Sequence, residues 1–237
     1  MTTLSGKRCL VTGATGGLGE ELAREFGRAG CRLILTGRDS ERLEALTDRL
    51  ATTAQVEVSI TADLHNDAGI HDIVEHVEKG FGGVDILVNN AGVFPVAALE
   101  ASSAAELDEC IAVNLRAPML LCRAFAPGMA ESGWGRIVNI ASSSAYAGFA
   151  NTAAYCASKH GLLGFSRALD DELRPHGVRV IAVSPGSIKT PMGRRVQGQT
   201  YETFMEPREI AEIVTQTAAL DGSVLVSELR LGRMVMG

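Results

Sequence analysis

The feature that most constrains the fold is an alternation between short apolar segments and longer amphipathic segments, which continues along the 237 residues. The apolar segments have the length of buried strands, whereas the amphipathic ones repeat apolar residues at helical spacing, as Leu18, Leu22 and Phe26 do. Strands that are apolar on both faces and are separated by helices form a parallel sheet with helices on both of its faces. The alternation therefore predicts an α/β fold with one doubly wound parallel sheet.

These patterns place the predicted elements along the chain. Strands are predicted at residues 7–12, 31–36, 56–60, 84–89, 136–141, 178–184 and 223–229. Helices are predicted at residues 17–29, 40–50, 67–81, 104–129, 152–175 and 208–219. Pro118 falls within the helical stretch 104–129, and we expect a kink there because proline lacks the amide hydrogen that a helix uses. No proline- or serine-rich linker divides the chain, so we expect a single Rossmann-like domain over residues 1–237.

Composition and charge exclude several classes of protein. The chain has 22 Lys and Arg against 28 Asp and Glu, a net charge of -6 that argues against nucleic acid as a partner, although single arginines can still bind a small phosphorylated ligand. No apolar run approaches the roughly 18 residues of a membrane span, and the first residues lack the pattern of a secretory signal. Five cysteines without C-x-x-C spacing and five scattered histidines predict no metal site and a reducing, cytoplasmic environment.

A glycine-rich turn lies between the first predicted strand and the first predicted helix. Residues 12–19 read TGATGGLG, with glycines at 13, 17 and 19. Glycine permits a tight turn and a close approach of the backbone to a pyrophosphate, while the helix N-terminus supplies free N–H groups and partial positive charge. The turn predicts a dinucleotide site, although a glycine-rich turn without a ligand has the same local pattern.

The end of the second predicted strand bears on which dinucleotide would bind. In NAD sites of this kind an acidic residue about 20 positions after the glycines holds the ribose 2′-hydroxyl. Here Gly37 stands at that place and Arg38 follows it, and a guanidinium suits the 2′-phosphate of NADP. The alternative is that Arg38 is solvated and that Asp39 is the ribose ligand, but Asp39 also has the pattern of an N-cap for the next helix. The sequence favours NADP over NAD.

Two residues at the start of the helix 152–175 suggest proton transfer. Tyr155 and Lys159 are four residues apart, so they share one face of that helix. A free phenol has a pKa of about 10, and a nearby ammonium group favours its ionised form. Ser142 follows the fifth predicted strand, at the edge of the sheet where ligands bind, and its hydroxyl can polarise a substrate carbonyl. Ser143 and Ser144 leave the register of this hydroxyl open.

Five motifs in this order make the chain similar to the short-chain dehydrogenase/reductase family, in particular to its NADP-preferring single-domain members. They are TGATGGLG at 12–19, NNAG at 89–92, Ser142, Tyr155-x-x-x-Lys159 and Pro185-Gly186. The resemblance extends from residue 6 to about residue 230. It implies an oxidoreductase that transfers hydride between a nicotinamide cofactor and a substrate.

The resemblance also implies roles for individual residues. Tyr155 would be the general acid in reduction and the base in oxidation. Lys159 would bind the nicotinamide ribose and lower the pKa of the tyrosine, and Asn114 would hold a water in a proton relay to the lysine. The implied cofactor-binding residues are Gly13, Thr15, Gly16, Gly17, Leu18 and Gly19 at the pyrophosphate, Asp63 and Leu64 at the adenine, Asn90, Ala91 and Gly92 at the ribose, and Pro185, Gly186, Ile188 and Thr190 at the nicotinamide, together with Arg38, Tyr155 and Lys159.

Two departures from the family pattern bear on specificity. NADP-preferring members often have a second basic residue where this chain has Gly16, so the coenzyme preference depends on Arg38. A short stretch at about 188–206 must supply most of the substrate loop, and its polar residues include Arg194, Arg195 and Gln197. These arginines either meet an acidic substrate or belong to a solvated loop.

The sequence thus predicts an NADP(H)-dependent dehydrogenase/reductase that acts on a small-molecule carbonyl or secondary alcohol. A 3-oxoacyl thioester, a small ketone and a polyol are all open as substrates. The alternative is a catalytically silent nucleotide-binding regulator or scaffold, because a fold does not dictate a function. The family also implies a homodimer or homotetramer that forms through the helices at about 104–129 and 152–175.

Overall fold

The structure, a computed structural model, describes residues 4–234; the first three and last three residues of the predicted domain 1–237 lie outside the described residues. Its strands are β1 Arg8–Val11, β2 Arg32–Gly37, β3 Gln55–Thr61, β4 Ile86–Asn89, β5 Gly135–Ile140, β6 Val178–Pro185 and β7 Glu228–Leu231. Its α-helices are α1 Gly17–Arg28, α2 Ser40–Leu50, α3 Asp67–Phe81, α4 Ala104–Ile111, α5 Ala117–Glu131, α6 Ala153–Leu173 and α7 Pro207–Ala218.

The seven strands form one parallel sheet in the order β3-β2-β1-β4-β5-β6-β7, as predicted for a doubly wound fold. Successive side chains of a strand point to opposite faces. On β1, Cys9 and Val11 join the core that α1, α2 and α7 cover, whereas Leu10 joins the core that α3 and α5 cover. Helices therefore bury both faces of the sheet, which explains why its central strands are apolar throughout.

The order of the strands reverses at the middle of the sheet. The chain proceeds from β1 outward to β3, then returns to place β4 on the other side of β1. The connections after β1 and β4 consequently diverge and leave a crevice at the carboxyl ends of these strands, where doubly wound folds bind ligands. Asn90, which follows β4, lines this crevice, and its backbone N–H donates to the hydroxyl of the buried Thr12, which follows β1.

The irregularity in this helical stretch, expected as a kink at Pro118, is a π-helical turn just before that residue. A π-helical turn at Ala112–Arg116 separates α4 from α5, and Pro118 lies in the first turn of α5. Pro118 has no amide hydrogen to donate to that turn, so the regular hydrogen-bonding pattern is interrupted there. The wide turn before it takes up the irregularity, and Asn114 lies inside that turn.

The last predicted strand, at 223–229, was placed too early. The observed β7 begins at Glu228 and pairs with residues 182–185 of β6. The preceding segment is a loop, since the Arg179 guanidinium binds the backbone carbonyls of Leu220, Gly222 and Val224, and the Val224 side chain is 65% exposed.

No helix within residues 4–234 is both long and apolar enough to cross a membrane.

Candidate active site

A cavity of about 720 Å³ opens at the carboxyl ends of the strands, around the crevice beside β1 and β4. Residues from the loops after β1, β2, β3, β4, β5 and β6 line it. Among these are the predicted residues Gly13, Thr15, Gly16, Gly17, Leu18, Gly19, Arg38, Asp63, Leu64, Asn90, Ala91, Gly92, Ser142, Tyr155, Lys159, Pro185, Gly186, Ile188 and Thr190. The structure therefore brings the predicted site residues together, with the exception of Asn114, which lies behind the wall of the cavity.

The glycine turn leaves no room for side chains at its key positions. Gly13 has a φ of +62°, and a Cβ there would lie 2.7 Å from the Cα of Ala91. A Cβ on Gly19 would lie 2.2 Å from the carbonyl oxygen of Gly13, and one on Gly17 would lie 2.8 Å from the Cγ2 of Thr190. The loop thus keeps bare backbone and the start of α1 at the cavity, a surface that suits a pyrophosphate.

Hydrogen bonds tie this turn to the end of β4. The Thr12 hydroxyl accepts from the backbone N–H groups of Asn90 (3.0 Å) and Ala91 (3.1 Å). The Asn90 side-chain amide donates in turn to the carbonyls of Thr12 (3.0 Å) and Gly13 (3.1 Å). These bonds brace the two central strands against each other and hold the glycine turn at the crevice.

The far end of the cavity carries two arginines. Arg38 is 61% exposed, and its Nη1 lies 3.4 Å from Oε1 of Glu109. Sequence reasoning missed Arg42, which also lines the cavity and donates from Nη2 to the carbonyl of Thr15 at 2.8 Å. A basic residue in the first turn of the helix after the second strand was the available signal. Asp39 accepts from the backbone N–H of Arg42 at 3.1 Å and caps α2, as its position suggested.

The near end of the cavity holds the tyrosine and lysine of α6. The Lys159 side chain is only 4% exposed, and its Nζ donates to the backbone carbonyl of Ile140, at the end of β5, at 2.7 Å. This Nζ lies 5.7 Å from the centroid of the Tyr155 ring. Burial lowers the pKa of Lys159 from 10.5 to about 8. The Phe94 and Tyr155 rings meet edge to face, with centroids 4.7 Å apart.

The chain's own groups do not lower the pKa of Tyr155 as the family resemblance implied. Burial raises this pKa from 10.0 to about 12, and a hydrogen bond with Ser142 opposes the rise only in part. Ser143 and Ser144 also line the cavity, so the choice of Ser142 among the three serines stays a prediction. The Ser142 hydroxyl also accepts from the N–H of Ser144 at 3.1 Å, which orients it.

Asn114 is fully buried in the π-helical turn, rather than on a helix surface. Its Oδ1 accepts from the N–H of Val93 at 2.8 Å, and its Nδ2 donates to the carbonyl of Val93 at 2.9 Å. The same Nδ2 donates to the hydroxyl of Ser158 at 3.1 Å, and that hydroxyl donates to the backbone carbonyl of Tyr155 at 2.7 Å. Sequence reasoning missed Ser158, which connects Asn114 to the first turn of α6.

No group of three or more potential metal-ligating His, Cys, Asp or Glu side chains occurs within the described range 4–234. The five cysteines are free thiols, and each is buried. A cavity with a bare glycine turn, two arginines at one end and a Tyr–Lys pair at the other matches the shape and charge of a phosphorylated dinucleotide better than it matches a metal site.

Comparison with known proteins agrees with this geometry. The family model for short chain dehydrogenases matches residues 7–200. A D-beta-hydroxybutyrate dehydrogenase of Cupriavidus necator is 37% identical over 190 residues, which cover 80% of this chain and 73% of that protein. Among solved structures, a metagenomic short-chain oxidoreductase in complex with NADP is 38% identical and superposes with a TM-score of 0.86, covering 99% of this chain and 100% of that one.

A second solved structure resembles this chain and, like the first, contains NADP. It is a putative NAD(P)-dependent gluconate 5-dehydrogenase of Beutenbergia cavernae with NADP bound at low occupancy, 31% identical, with a TM-score of 0.88 and coverage of 97% of this chain and 96% of that one. The family model and the relatives each span most of the chain. The chain therefore belongs to the short-chain dehydrogenase family of oxidoreductases.

Proposed function

We propose that the protein is an NADP(H)-dependent oxidoreductase that interconverts a carbonyl and a secondary alcohol, with Tyr155 as general acid/base. The observation that carries the proposal is the placement of Tyr155 and Lys159 in the same cavity as the glycine turn. The site has room for a dinucleotide, a bare backbone surface for its pyrophosphate and a proton donor at the opposite end. One continuous domain over residues 1–237 would contain all of these parts.

The glycine turn and the loop after β6 would hold the cofactor from two sides. Gly17 and Thr190 are in such close contact that these two segments form one wall. Pro185, Gly186 and Ile188 would seat the nicotinamide, and Asp63 and Leu64 would lie beside the adenine, as the family resemblance implies. The bound cofactor supplies or accepts the hydride, and the protein orients the partners and moves the proton.

Tyr155 is suited to donate its proton during reduction. Because burial holds its pKa at about 12 in the chain alone, the phenol is protonated at neutral pH and ready to act as an acid. Ser142, which lines the same cavity as Tyr155, would hold the substrate oxygen next to the phenol. Lys159 would bind the ribose hydroxyls, and its charge would favour the tyrosinate that remains after the proton leaves. Asn114 would anchor the relay that returns a proton to Lys159.

Arg38 and Arg42 together support NADP as the coenzyme. Both line the end of the cavity opposite to Tyr155, where the adenosine ribose would lie. Two guanidinium groups favour the 2′-phosphate of NADP, and the two similar solved proteins hold NADP. Asp39, the residue that would otherwise bind a ribose hydroxyl, is occupied as the cap of α2.

A homodimer or homotetramer through the helices at about 104–129 and 152–175 is part of the same proposal. Ile111 and Met119 lie on the first of these stretches with 38% and 42% of their surfaces exposed, and a partner subunit packed on this stretch would cover them. Light scattering of the purified protein would give the mass of the assembly.

Carbonyl-dependent oxidation of NADPH, followed by absorbance across a broad panel of ketones, oxo acids and oxo thioesters, tests the proposed activity. We expect turnover of at least one class with NADPH, and weaker turnover with NADH. Tight binding of NADPH without any turnover would instead support the silent nucleotide-binding regulator.

A further inference from the structure

The acidic side chains of the cavity lie at one end only. Its lining includes two carboxylates, those of Asp39 and Asp63, which follow β2 and β3. The opposite end, formed by the loops after β5 and β6, contributes Lys159 and Arg195 as charged lining residues and no carboxylate within the described part of the chain. This end therefore has an uncompensated positive charge.

Arg195 differs from the other basic residues of its loop. Lys189 donates to Oε1 of Glu206 at 2.5 Å, and the Arg194 guanidinium lies 4.6 Å from the centroid of the Tyr201 ring. The side chain of Arg195 has no hydrogen bond, ion pair or ring contact with any residue between 4 and 234. Both arginines are exposed, but Arg194 rests on the Tyr201 ring, whereas Arg195 lines the cavity and its guanidinium donors are available.

The backbone that carries Arg195 is well anchored. The Thr190 hydroxyl accepts from the N–H of Gly193 at 3.0 Å, and the N–H of Arg195 donates to the carbonyl of Met192 at 3.1 Å. Beyond Arg195, Oε1 of Gln199 accepts from the hydroxyl of Ser187 at 2.6 Å, which holds the loop over the end of β6. The loop is therefore a fixed wall of the reaction end of the cavity.

We propose that Arg195 binds the carboxylate of the substrate, and that the substrate is a short oxo or hydroxy carboxylic acid. A guanidinium binds a carboxylate through two parallel hydrogen bonds and so orients it as well as attracting it. The apolar side chains of Phe94, Val96 and Phe149 line the same end and suit the carbon chain between the carboxylate and the reacting carbonyl. This substrate class rests on the proposed function.

The cofactor's pyrophosphate is the competing anion for this arginine. Thr190, five residues before Arg195, touches the glycine turn at Gly17, so a guanidinium in this loop has two anions within the same cavity to choose from. The carboxylate is favoured because the pyrophosphate already has the backbone of the glycine turn and the start of α1. An experiment must therefore measure cofactor and substrate separately.

The test compares short oxo acids, with the ketone at successive positions from the carboxylate, with their methyl esters in NADPH-dependent reduction. Wild-type protein should prefer at least one acid over its ester by about tenfold or more in kcat/KM. Arg195→Gln should raise KM for that acid by about ten- to a hundredfold while leaving KM for the ester nearly unchanged. The KM of Arg195→Lys for the acid should lie between those of wild type and Arg195→Gln, since lysine keeps the charge but loses the paired hydrogen bonds.

Arg194→Gln is the matched control, because it removes the adjacent arginine that does not line the cavity, and it should leave the acid-to-ester ratio unchanged. The dissociation constant of NADPH, measured by its fluorescence, should be the same in all four proteins. Equal use of acids and esters by the wild type would overturn the carboxylate proposal while leaving the oxidoreductase standing. A weaker NADPH complex in Arg195→Gln with an unchanged acid-to-ester ratio would assign the arginine to the pyrophosphate instead. Failure of the wild type to reduce any carbonyl would contradict the proposed function itself.

Discussion

The Nζ of Lys159 donates a 2.7 Å hydrogen bond to the backbone carbonyl of Ile140, at the point where β5 ends and the cavity begins. The bond fixes the ammonium beside Tyr155, but it is a weak replacement for the water that the ammonium loses. The lowered pKa of about 8 expresses that loss. A buried charge of this kind is therefore expected to destabilise the fold in return for its function.

Replacing Lys159 with Met should change the free energy of unfolding, relative to wild type, more favourably at neutral pH than at high pH. The unfolded lysine, with its ordinary pKa of 10.5, keeps its proton between about pH 8 and pH 10.5, where the folded lysine has lost it. The unfolded wild type then binds more protons, so its free energy of unfolding rises with pH through this window, by about 3 kcal/mol in total. The Lys159→Met protein lacks this rise.

Urea titrations of both proteins at pH 7 and at pH 10 measure the effect. The stability of Lys159→Met relative to wild type should be greater by about 2–3 kcal/mol at pH 7 than at pH 10. Titrating groups that do not interact with Lys159, such as the buried Cys122 thiol with its raised pKa, occur in both proteins and cancel in the comparison. An identical difference in stability at the two pH values would show that burial does not lower the pKa of Lys159.

A side chain at Gly19 should damage the glycine turn. The Cβ of Gly19→Ala would lie 2.2 Å from the carbonyl oxygen of Gly13, which is backbone that cannot move without opening the turn. We expect a loss of about 2 kcal/mol or more in the free energy of unfolding and a large loss of NADPH affinity. Gly80→Ala in α3 is the control: its Cβ meets nothing within 4 Å, so it should stabilise the protein by about 0.5–1 kcal/mol. Denaturant titration and NADPH binding are measured for both variants. Equal stability and equal NADPH affinity of Gly19→Ala and Gly80→Ala would contradict the close packing of the turn around Gly19.

Arg38 and Arg42 should both contribute to the preference for NADPH over NADH. Removing either guanidinium by substitution with Ala should weaken NADPH by about 1.5–3 kcal/mol if it binds the 2′-phosphate, with little change for NADH, which lacks this group. The double variant should lose most of the preference. Fluorescence titration of both coenzymes gives the two dissociation constants needed for each protein. A parallel loss for NADPH and NADH would show that the arginines act on the loop, for example through the Arg42–Thr15 bond, and not on the phosphate.

Tyr155→Phe should remove turnover while keeping the cofactor. The ring contact with Phe94 is retained in this variant, and only the hydroxyl is lost. General acid/base catalysis contributes about a hundred- to ten-thousandfold, so kcat should fall by that order with the NADPH affinity nearly unchanged. Phe94→Leu is a useful comparison, since it alters the packing of the ring but keeps the proton donor. Substantial turnover by Tyr155→Phe would remove the tyrosine from the chemistry.

Much of the architecture was predictable because it depends on local patterns. The bounds of α2 and α3 match the predicted 40–50 and 67–81, since each helix has an Asx cap and an apolar stripe that are both visible in sequence. The last strand was misplaced because its position depends on pairing with β6 and on Arg179, which lies 41 residues from Leu220. A strand whose neighbours in space are distant in sequence leaves a weak local signal.

The candidate site divides in the same way. The glycine turn, Tyr155 and Lys159 are short-range motifs whose residue types and spacing are visible in the sequence, whereas the choice of Ser142 over Ser143 and Ser144 came from the family resemblance. The burial of Asn114 and its link through Ser158 could not be read from the chain, because a π-helical turn and a contact across 44 residues create them. The direction of the pKa shift of Tyr155 is also a tertiary property, because burial raises this pKa whatever its neighbours in sequence. The sequence determined which groups are present and which share a helix face, whereas only the folded chain decided which of them are buried, which charges meet and which arginine lines the cavity.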